Sequence, residues 1–242
     1  MIANGFCSFF HKAVKDLKIK SIKLKDFVWS QPKKLPIKTT NRFSFRYVSV
    51  PEVTRMLKKV NSKKSAGPDQ IPARLVKDCA VELGPPITHL INTILETSII
   101  PNDFKIGRVS AIYKSGEKSQ MNNYRPITVL PVLSKVMERC VYNQLTHYLE
   151  KNALLSPRQF GFRKNRSTEL AATLFFDEVH KAMDKGQLTG TLFIDLSKAF
   201  DTVSHASLLN KLYQYGIRDH EKEFFADYLF NRWQNVKYKS TS

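Results

Sequence analysis

Thr191-Leu-Phe-Ile-Asp195-Leu-Ser-Lys-Ala-Phe200-Asp201 is the stretch whose pattern decides how this chain is read. Thr191 to Ile194 have the β-forming, apolar character of a fully buried strand, and a helix-like turn from Leu196 to Asp201 follows. Between them stands Asp195, so the pattern predicts a core strand that delivers a carboxylate at its carboxyl end, well placed to hold a metal. The same spacing also fits an Asp195 or Ser197 that caps a short helix. The stretch alone leaves both open.

The bulk properties narrow the classes. With 242 residues and 42% apolar composition the chain can build one good core or two small lobes, which excludes disorder throughout. A formal charge of +18 calls for an acidic partner, nucleic acid first and an anionic membrane surface next. No apolar run approaches the roughly 20 residues that span a bilayer, and no membrane partner is expected. Cys7, Cys79 and Cys140 stand singly, with no CxxC and no His at the spacing of a metal-ligand motif, which suggests neither a disulfide framework nor a zinc site. An intracellular setting, cytoplasmic and nuclear, is expected.

Charge is concentrated at the start. Residues 1–50 hold eleven Lys and Arg against Asp16 and Asp26, half of the net charge. Residues 1–42 are therefore expected to form a basic, partly flexible extension, with a linker at Ser30–Pro36 and Ile2, Phe6, Phe9, Phe10 and Ala13 on one helical face. Order is expected from about Ser49, where Ser49-Val-Pro51-Glu52 supplies a capping box. Helices are expected over Pro72–Ala80, Pro86–Ile99, Val132–Lys151, Ser167–Met183, Ala206–Tyr215 and Asp219–Arg232. Arg108–Lys114 and Pro126–Leu130 predict a hairpin joined by a polar turn, and Trp233–Lys239 a further strand. The sum is an α/β (α+β) chain in which helices predominate.

Two more constellations carry chemistry. Tyr124-Arg125-Pro126-Ile127, with Lys114 on the partner strand, offers a planar guanidinium fork and a point charge, a combination suited to a triphosphate. It is also what a hairpin with ordinary surface charges looks like. Gln159-Phe160-Gly161-Phe162-Arg163-Lys164-Asn165-Arg166 interleaves rings with cations, a recipe for single-stranded nucleic acid. Phe160 and Phe162 could equally plug the core.

Taken in order, Lys63-Lys-Ser-Ala-Gly-Pro-Asp69, the Lys114 and Tyr124-Arg-Pro-Ile hairpin, the Gln159-Phe-Gly-Phe-Arg163 loop and the Asp195 stretch resemble the reverse transcriptases of non-LTR (LINE-type) retrotransposons. The resemblance covers residues 43–242 and implies the fingers (43–189) and the start of the palm (190–242) of a right-hand polymerase fold. It implies RNA-directed DNA synthesis, with RNA template, DNA primer and dNTP as partners and two Mg²⁺ ions as cofactor. Asp195 is then the first metal ligand, with the Leu196 carbonyl available to a second ion. Phe200 is the gate under the sugar, Lys114 and Arg125 meet the triphosphate, and Gln159, Phe160, Gly161, Phe162, Arg163, Lys164 and Arg166 lie beside the template.

Such enzymes complete the ion pair with an Asp-Asp dipeptide in a Tyr/Phe-x-Asp-Asp hairpin, preceded by Pro-Gln-Gly. No Asp-Asp occurs in the 242 residues. The chain is accordingly expected to be a fragment, inactive alone, whose palm remainder, thumb and possible endonuclease lie elsewhere and whose Met1 is an internal methionine. Two other functions remain in view: a non-catalytic RNA or primer-template binding remnant, and a basic helical interaction module. A half-palm with unpaired edges is expected to be poorly soluble.

Overall fold

The computed structural model describes residues 2–13, 15, 36–196 and 198–237. Ser30–Leu35 of the expected linker and Ser197 lie outside the described residues. In chain order the elements are helix α1 (residues 2–13), α2 (Val50–Lys58), α3 (Ala73–Asp78), α4 (Ala80–Thr97), strands β1 (Ile106–Tyr113) and β2 (Tyr124–Val129), α5 (Val132–Lys151), α6 (Thr168–Asp184), α7 (His205–Gln214), α8 (Asp219–Leu229) and β3 (Trp233–Lys237). Helices predominate over one small mixed sheet, as the composition of periodic segments predicts.

The main core lies among α2, α3, α4 and α5. Val53 and Leu57, Val76, Ile91 and Ile94, and Val136, Met137 and Cys140 interlock there, each fully or almost fully buried. Close approach of α2 to α4 depends on Gly84, where a Cβ would fall 2.2 Å from Thr54 Oγ1. α4 begins six residues before the expected Pro86 and carries Pro85 and Pro86 inside it. The carbonyls those prolines leave without an intrahelical donor belong to Val81 and Glu82, two exposed residues, where solvent is free to replace the missing N–H groups.

Ser49 caps α2, its Oγ accepting from Glu52 N at 3.4 Å. Only half of the expected capping box forms. The Glu52 carboxylate turns instead to Arg46, which donates to both of its oxygens at 3.0 Å.

Segment 36–48 has no regular structure, yet side-chain amides bind it as a neighbouring strand would. Gln144 accepts from Arg46 N at 2.8 Å and donates to Arg46 O at 3.1 Å, and Asn92 does the same for Val48 at 2.8 and 3.0 Å. Lys38 N and Phe43 N donate to the carbonyls of Gln214 and Gly216. Gly216 sits at φ 89°, and a Cβ there would meet Tyr148 Oη at 2.1 Å.

The sheet has the order β2-β1-β3. β1 and β2 pair antiparallel with Ile112 opposite Arg125 and Tyr113 opposite Tyr124, and β3 joins β1 in parallel. One face is filled by α1: Phe6, Phe10 and Val109 are buried together, with Ala111, Tyr124 and Val236 packed around them. Part of the extension expected to be flexible is thus a docked helix, because its apolar stripe finds the aromatic back of the hairpin.

Residues 205–237 join the same structure. Phe224 of α8 is buried in the main core, 4.9 Å from the Phe45 ring, and the end of the chain pairs with the hairpin. Packing thins between them, and α6 has no buried residue.

The clearest departure from the sequence pattern lies here. Thr191–Ile194 is not a strand, and Leu192, Phe193 and Ile194 are 83%, 84% and 79% exposed rather than buried. A strand is completed by hydrogen bonds from a neighbour, and none of the described strands runs beside this segment.

Candidate functional site

Three groups of candidate residues are placed by these elements. The first is the hairpin. Alternation along a strand puts Arg108, Ser110, Ile112 and Lys114 on one face, and the register puts Arg125, Ile127 and Val129 on that same face. This face is opposite to the one α1 fills, and Ile112 and Ile127 remain half exposed on it. Lys114 N donates to Asn123 O at 2.8 Å, continuing the ladder one step past β1. Neither Lys114 nor Arg125 has a carboxylate within ion-pair distance among the described residues.

The turn of the hairpin is held from behind. Tyr113 Oη donates to Gly116 O, Tyr124 Oη to Lys118 O at 2.9 Å, and Asn123 Nδ2 to Glu117 O at 2.9 Å. Phe6 packs edge-on to Tyr124 at 4.9 Å, so α1 wedges the ring that anchors the turn.

The second group is the 157–166 loop. Arg163 does not project freely. Its guanidinium donates to both Glu150 oxygens, at 2.9 and 2.5 Å, and to Ser156 O at 2.8 Å, which ties the loop to the end of α5. Arg163 holds the Glu150 carboxyl below the usual glutamate value. Gln159 Nε2 donates to Gly161 O at 3.2 Å, and Arg166 stacks over the half-buried Phe160 ring at 5.4 Å. Phe162 does not plug the core. It is 83% exposed at φ 61° and packs at right angles against the Phe200 ring, 5.6 Å away. Lys164 is exposed, and Gly161 has open space beside its Cα.

The third group is the Asp195 turn. Asp195 is exposed, and its Oδ1 accepts from Leu196 N at 2.9 Å. Leu196 and Phe200 are exposed too, and Thr202 Oγ1 closes the turn onto the Lys198 carbonyl. The structure brings this turn to the 157–166 loop through the Phe162 and Phe200 rings. It places no hydrogen bond or ion pair between Asp195 and the hairpin cations among the described residues.

Lys63–Asp69 forms turns whose place is set by Gly67. A Cβ on Gly67 would lie 2.7 Å from the Pro131 backbone, so this loop is pressed against the junction of β2 and α5. Behind the junction lies a cavity of ≈ 1290 Å³ bordered by α2, this loop, β2 and α5. Besides Arg46, which is paired with Glu52, its cations are Arg55, Lys59, Lys64, Lys135 and Arg139, of which Lys64 alone belongs to a motif singled out above. The signal that could have found them is the i,i+4 spacing of Arg55 with Lys59 and of Lys135 with Arg139, visible only once both helices are known to face each other.

Residues 112–242 match the family model described as reverse transcriptase (RNA-dependent DNA polymerase). Over 166 residues the chain is 30% identical to a probable RNA-directed DNA polymerase from transposon BS of Drosophila melanogaster, covering 68% of this chain and 18% of that protein. It is 29% identical over 168 residues to the RNA-directed DNA polymerase from mobile element jockey of the same species, with the same coverage of each chain. The Pol polyprotein of a type-1 retrotransposable element R2 of Popillia japonica is 26% identical over 138 residues, 57% of this chain and 19% of that one. The chain thus spans about a fifth of the length of these curated relatives.

Proposed function

We propose, from the premise that this chain belongs to the reverse transcriptase family and is of the non-LTR, LINE-type kind, that it supplies the fingers and the opening of the palm to an RNA-templated DNA polymerase. The observation that carries this reading is the hairpin register. Ile112 opposite Arg125 sets Lys114 and Arg125 on one open face, while α1 occupies the other.

On that face Arg125 offers a fork for phosphate oxygens and Lys114 a mobile point charge, the pair suited to a dNTP triphosphate. Phe162, with Lys164 and Arg166 beside it, is suited to a template strand, while Arg163, Gln159 and Gly161 hold the loop's shape. The reaction proposed for the whole enzyme is attack of a primer 3′-OH, which gives up its proton, on the α-phosphorus of the bound dNTP, breaking the bond to the β-phosphate oxygen and releasing pyrophosphate. Phe200 is proposed to bar a ribose 2′-OH.

The family implies a divalent cation, for which Mg²⁺ is proposed. Asp195, a hard oxygen donor, fits one ligand position, and the Leu196 carbonyl is adjacent. A two-ion site does not fit the residues described. Such ions sit about 3.5–4 Å apart and share several carboxylates, and among the described residues no three potential metal ligands gather. We infer that these 242 residues bind nucleic acid but do not extend a primer by themselves.

Purified chain given Mg²⁺, dNTPs and a primed RNA template is expected to give no product, and robust extension overturns that inference. Joined to a complete palm and thumb it is expected to support extension that Asp195→Asn abolishes. Extension that survives Asp195→Asn overturns the ligand assignment.

A further inference from the structure

We propose that the groove between α2, the 61–66 loop, the end of β2 and α5 is a second nucleic-acid contact, which grips the phosphate backbone of a single RNA strand. The inference rests on the reading that this chain binds nucleic acid, and it adds cations of α2, the 61–66 loop and α5 beyond Lys114, Arg125 and the 157–166 loop, around a floor that shares Ile127 and Val129 with the hairpin.

The groove, ≈ 1290 Å³ in volume, has an apolar floor that includes Met56, Val60, Ile127 and Val129. Its rim carries Arg55 and Lys59 on α2, Lys64 on the loop, and Lys135 and Arg139 on α5. Among the described residues Glu52 is the one acid bordering it, and Arg46 already pairs with that carboxylate. None of the five rim cations is ion-paired among the described residues, and Arg139 rests over the Tyr142 ring at 5.3 Å.

Burial is the main reason Lys135 lies below the ordinary lysine value; the attraction of Glu138 comes next and works against it, ahead of the lesser effects of Lys64, which lowers, and Asp69, which raises. Glu138 is itself engaged by Tyr228 Oη at 2.7 Å. A polyanion laid in the groove would supply the counter-charges that the rim cations lack among the described residues.

Geometry selects the kind of polyanion. Arg55 with Lys59, and Lys135 with Arg139, are i,i+4 pairs, each spanning about 6 Å along its helix, a step comparable to that between successive phosphates of an extended strand. Two such rows facing each other can track a chain of phosphates, which a mononucleotide would leave largely unused. The apolar floor suits unstacked bases, whereas a duplex keeps the apolar faces of its bases stacked inside and shows only their edges in its grooves. Among the described residues no aromatic ring borders the groove, so the described lining offers no stacking platform of the kind other single-strand sites use and is expected to read no base.

The test is anisotropy of a fluorescein-labelled uridine RNA oligomer, titrated with the full chain at several salt concentrations. Lys59→Glu/Arg139→Glu is expected to weaken binding about tenfold or more at low salt and to flatten the slope of log affinity against log salt by about 1.4, some 0.7 for each lost phosphate contact. The charge-matched control Lys211→Glu/Lys222→Glu, on α7 and α8, is expected to fall by much less, and Lys59→Arg/Arg139→Lys to bind as the parent does. A mixed-sequence oligomer is expected to bind as the uridine oligomer does.

If the groove variant keeps the parent affinity and slope while Lys164→Glu/Arg166→Glu loses both, the groove is overturned and nucleic-acid binding by this chain stands. Equal losses in the groove variant and the charge-matched control also overturn it. An RNA duplex that competes as well as the single strand overturns the single-strand assignment. A parent chain with no RNA affinity overturns the functional reading, and the groove with it.

Discussion

Arg163 reaches back to Glu150 and holds it with two parallel hydrogen bonds, so a cation that looks ready for a template phosphate is spent on shaping its own loop. A paired, planar fork of this kind adds geometric specificity that a lone lysine cannot. The loop's remaining display is Phe162 with Lys164 and Arg166.

Arg163→Met is expected to free the 157–166 loop, seen as several-fold faster limited proteolysis after Arg158 or Lys164 with the rest of the chain intact. The pH dependence has a defined sign. Because the folded Glu150 carboxyl lies below its ordinary 4.5, the contribution of the pair is present above that value and is lost as pH falls through the lowered one. The difference between parent and variant is therefore expected at pH 7 and to vanish in the acid range.

Phe224→Ala is expected to cost about 3–5 kcal/mol in urea unfolding, since it opens a cavity where α8 enters the main core. Phe200→Ala, at a ring 77% exposed, is expected to change stability by no more than about 0.5 kcal/mol. Comparable losses in both would contradict the packing described.

Gly67→Ala is expected to destabilise by about 1–3 kcal/mol, because its Cβ would press on the Pro131 backbone, which cannot rotate away. Gly161→Ala, with nothing within 4 Å of its Cβ, is expected to be nearly neutral. Thermal melts of the two variants side by side check this.

Asp227 joins α8 to the loop before β1, accepting from Ile100 N at 2.8 Å and from the buried Lys105 Nζ at 2.7 Å. Asp227→Ala is expected to cost about 3 kcal/mol by leaving that ammonium uncompensated. Lys105→Met/Asp227→Ala is expected to recover part of the loss in the same denaturation experiment.

Leu192, Phe193, Ile194, Leu196 and Phe200 form an exposed apolar stretch beside a helix with no buried residue. Concentration-dependent association is expected in sedimentation velocity, and Phe193→Asp/Ile194→Asn is expected to reduce it. A monodisperse parent chain at all concentrations would contradict the expectation.

Much of this fold was legible locally. The apolar i,i+4 stripe of Val132–Lys151 names a helix with its observed bounds, and Ser167 and Ser204 cap α6 and α7 because a short hydroxyl side chain before a helical run has few other uses. The hairpin announced itself through its polar turn, with its ends displaced by one or two residues. The candidate residues were legible as motifs, Lys114, Arg125 and Asp195 by type and order. Their surroundings were not. Nothing in the spacing of Arg163 says that Glu150 claims it, and nothing in Glu52 says that Arg46 outbids its own helix end.

What the sequence determined by itself, then, is the family and most of the element types, together with a set of candidate residues for its chemistry, because these follow from local periodicity and from short strings with fixed order. Tertiary structure alone decided which of those residues are available. It placed α1 behind the hairpin, spent Arg163 within the chain, and aligned cations of α2 and α5 across one groove. It also left Thr191–Ile194 unpaired. A strand is a property of two segments and not of one, so apolar alternation predicts its face but cannot supply the neighbour that makes it a strand.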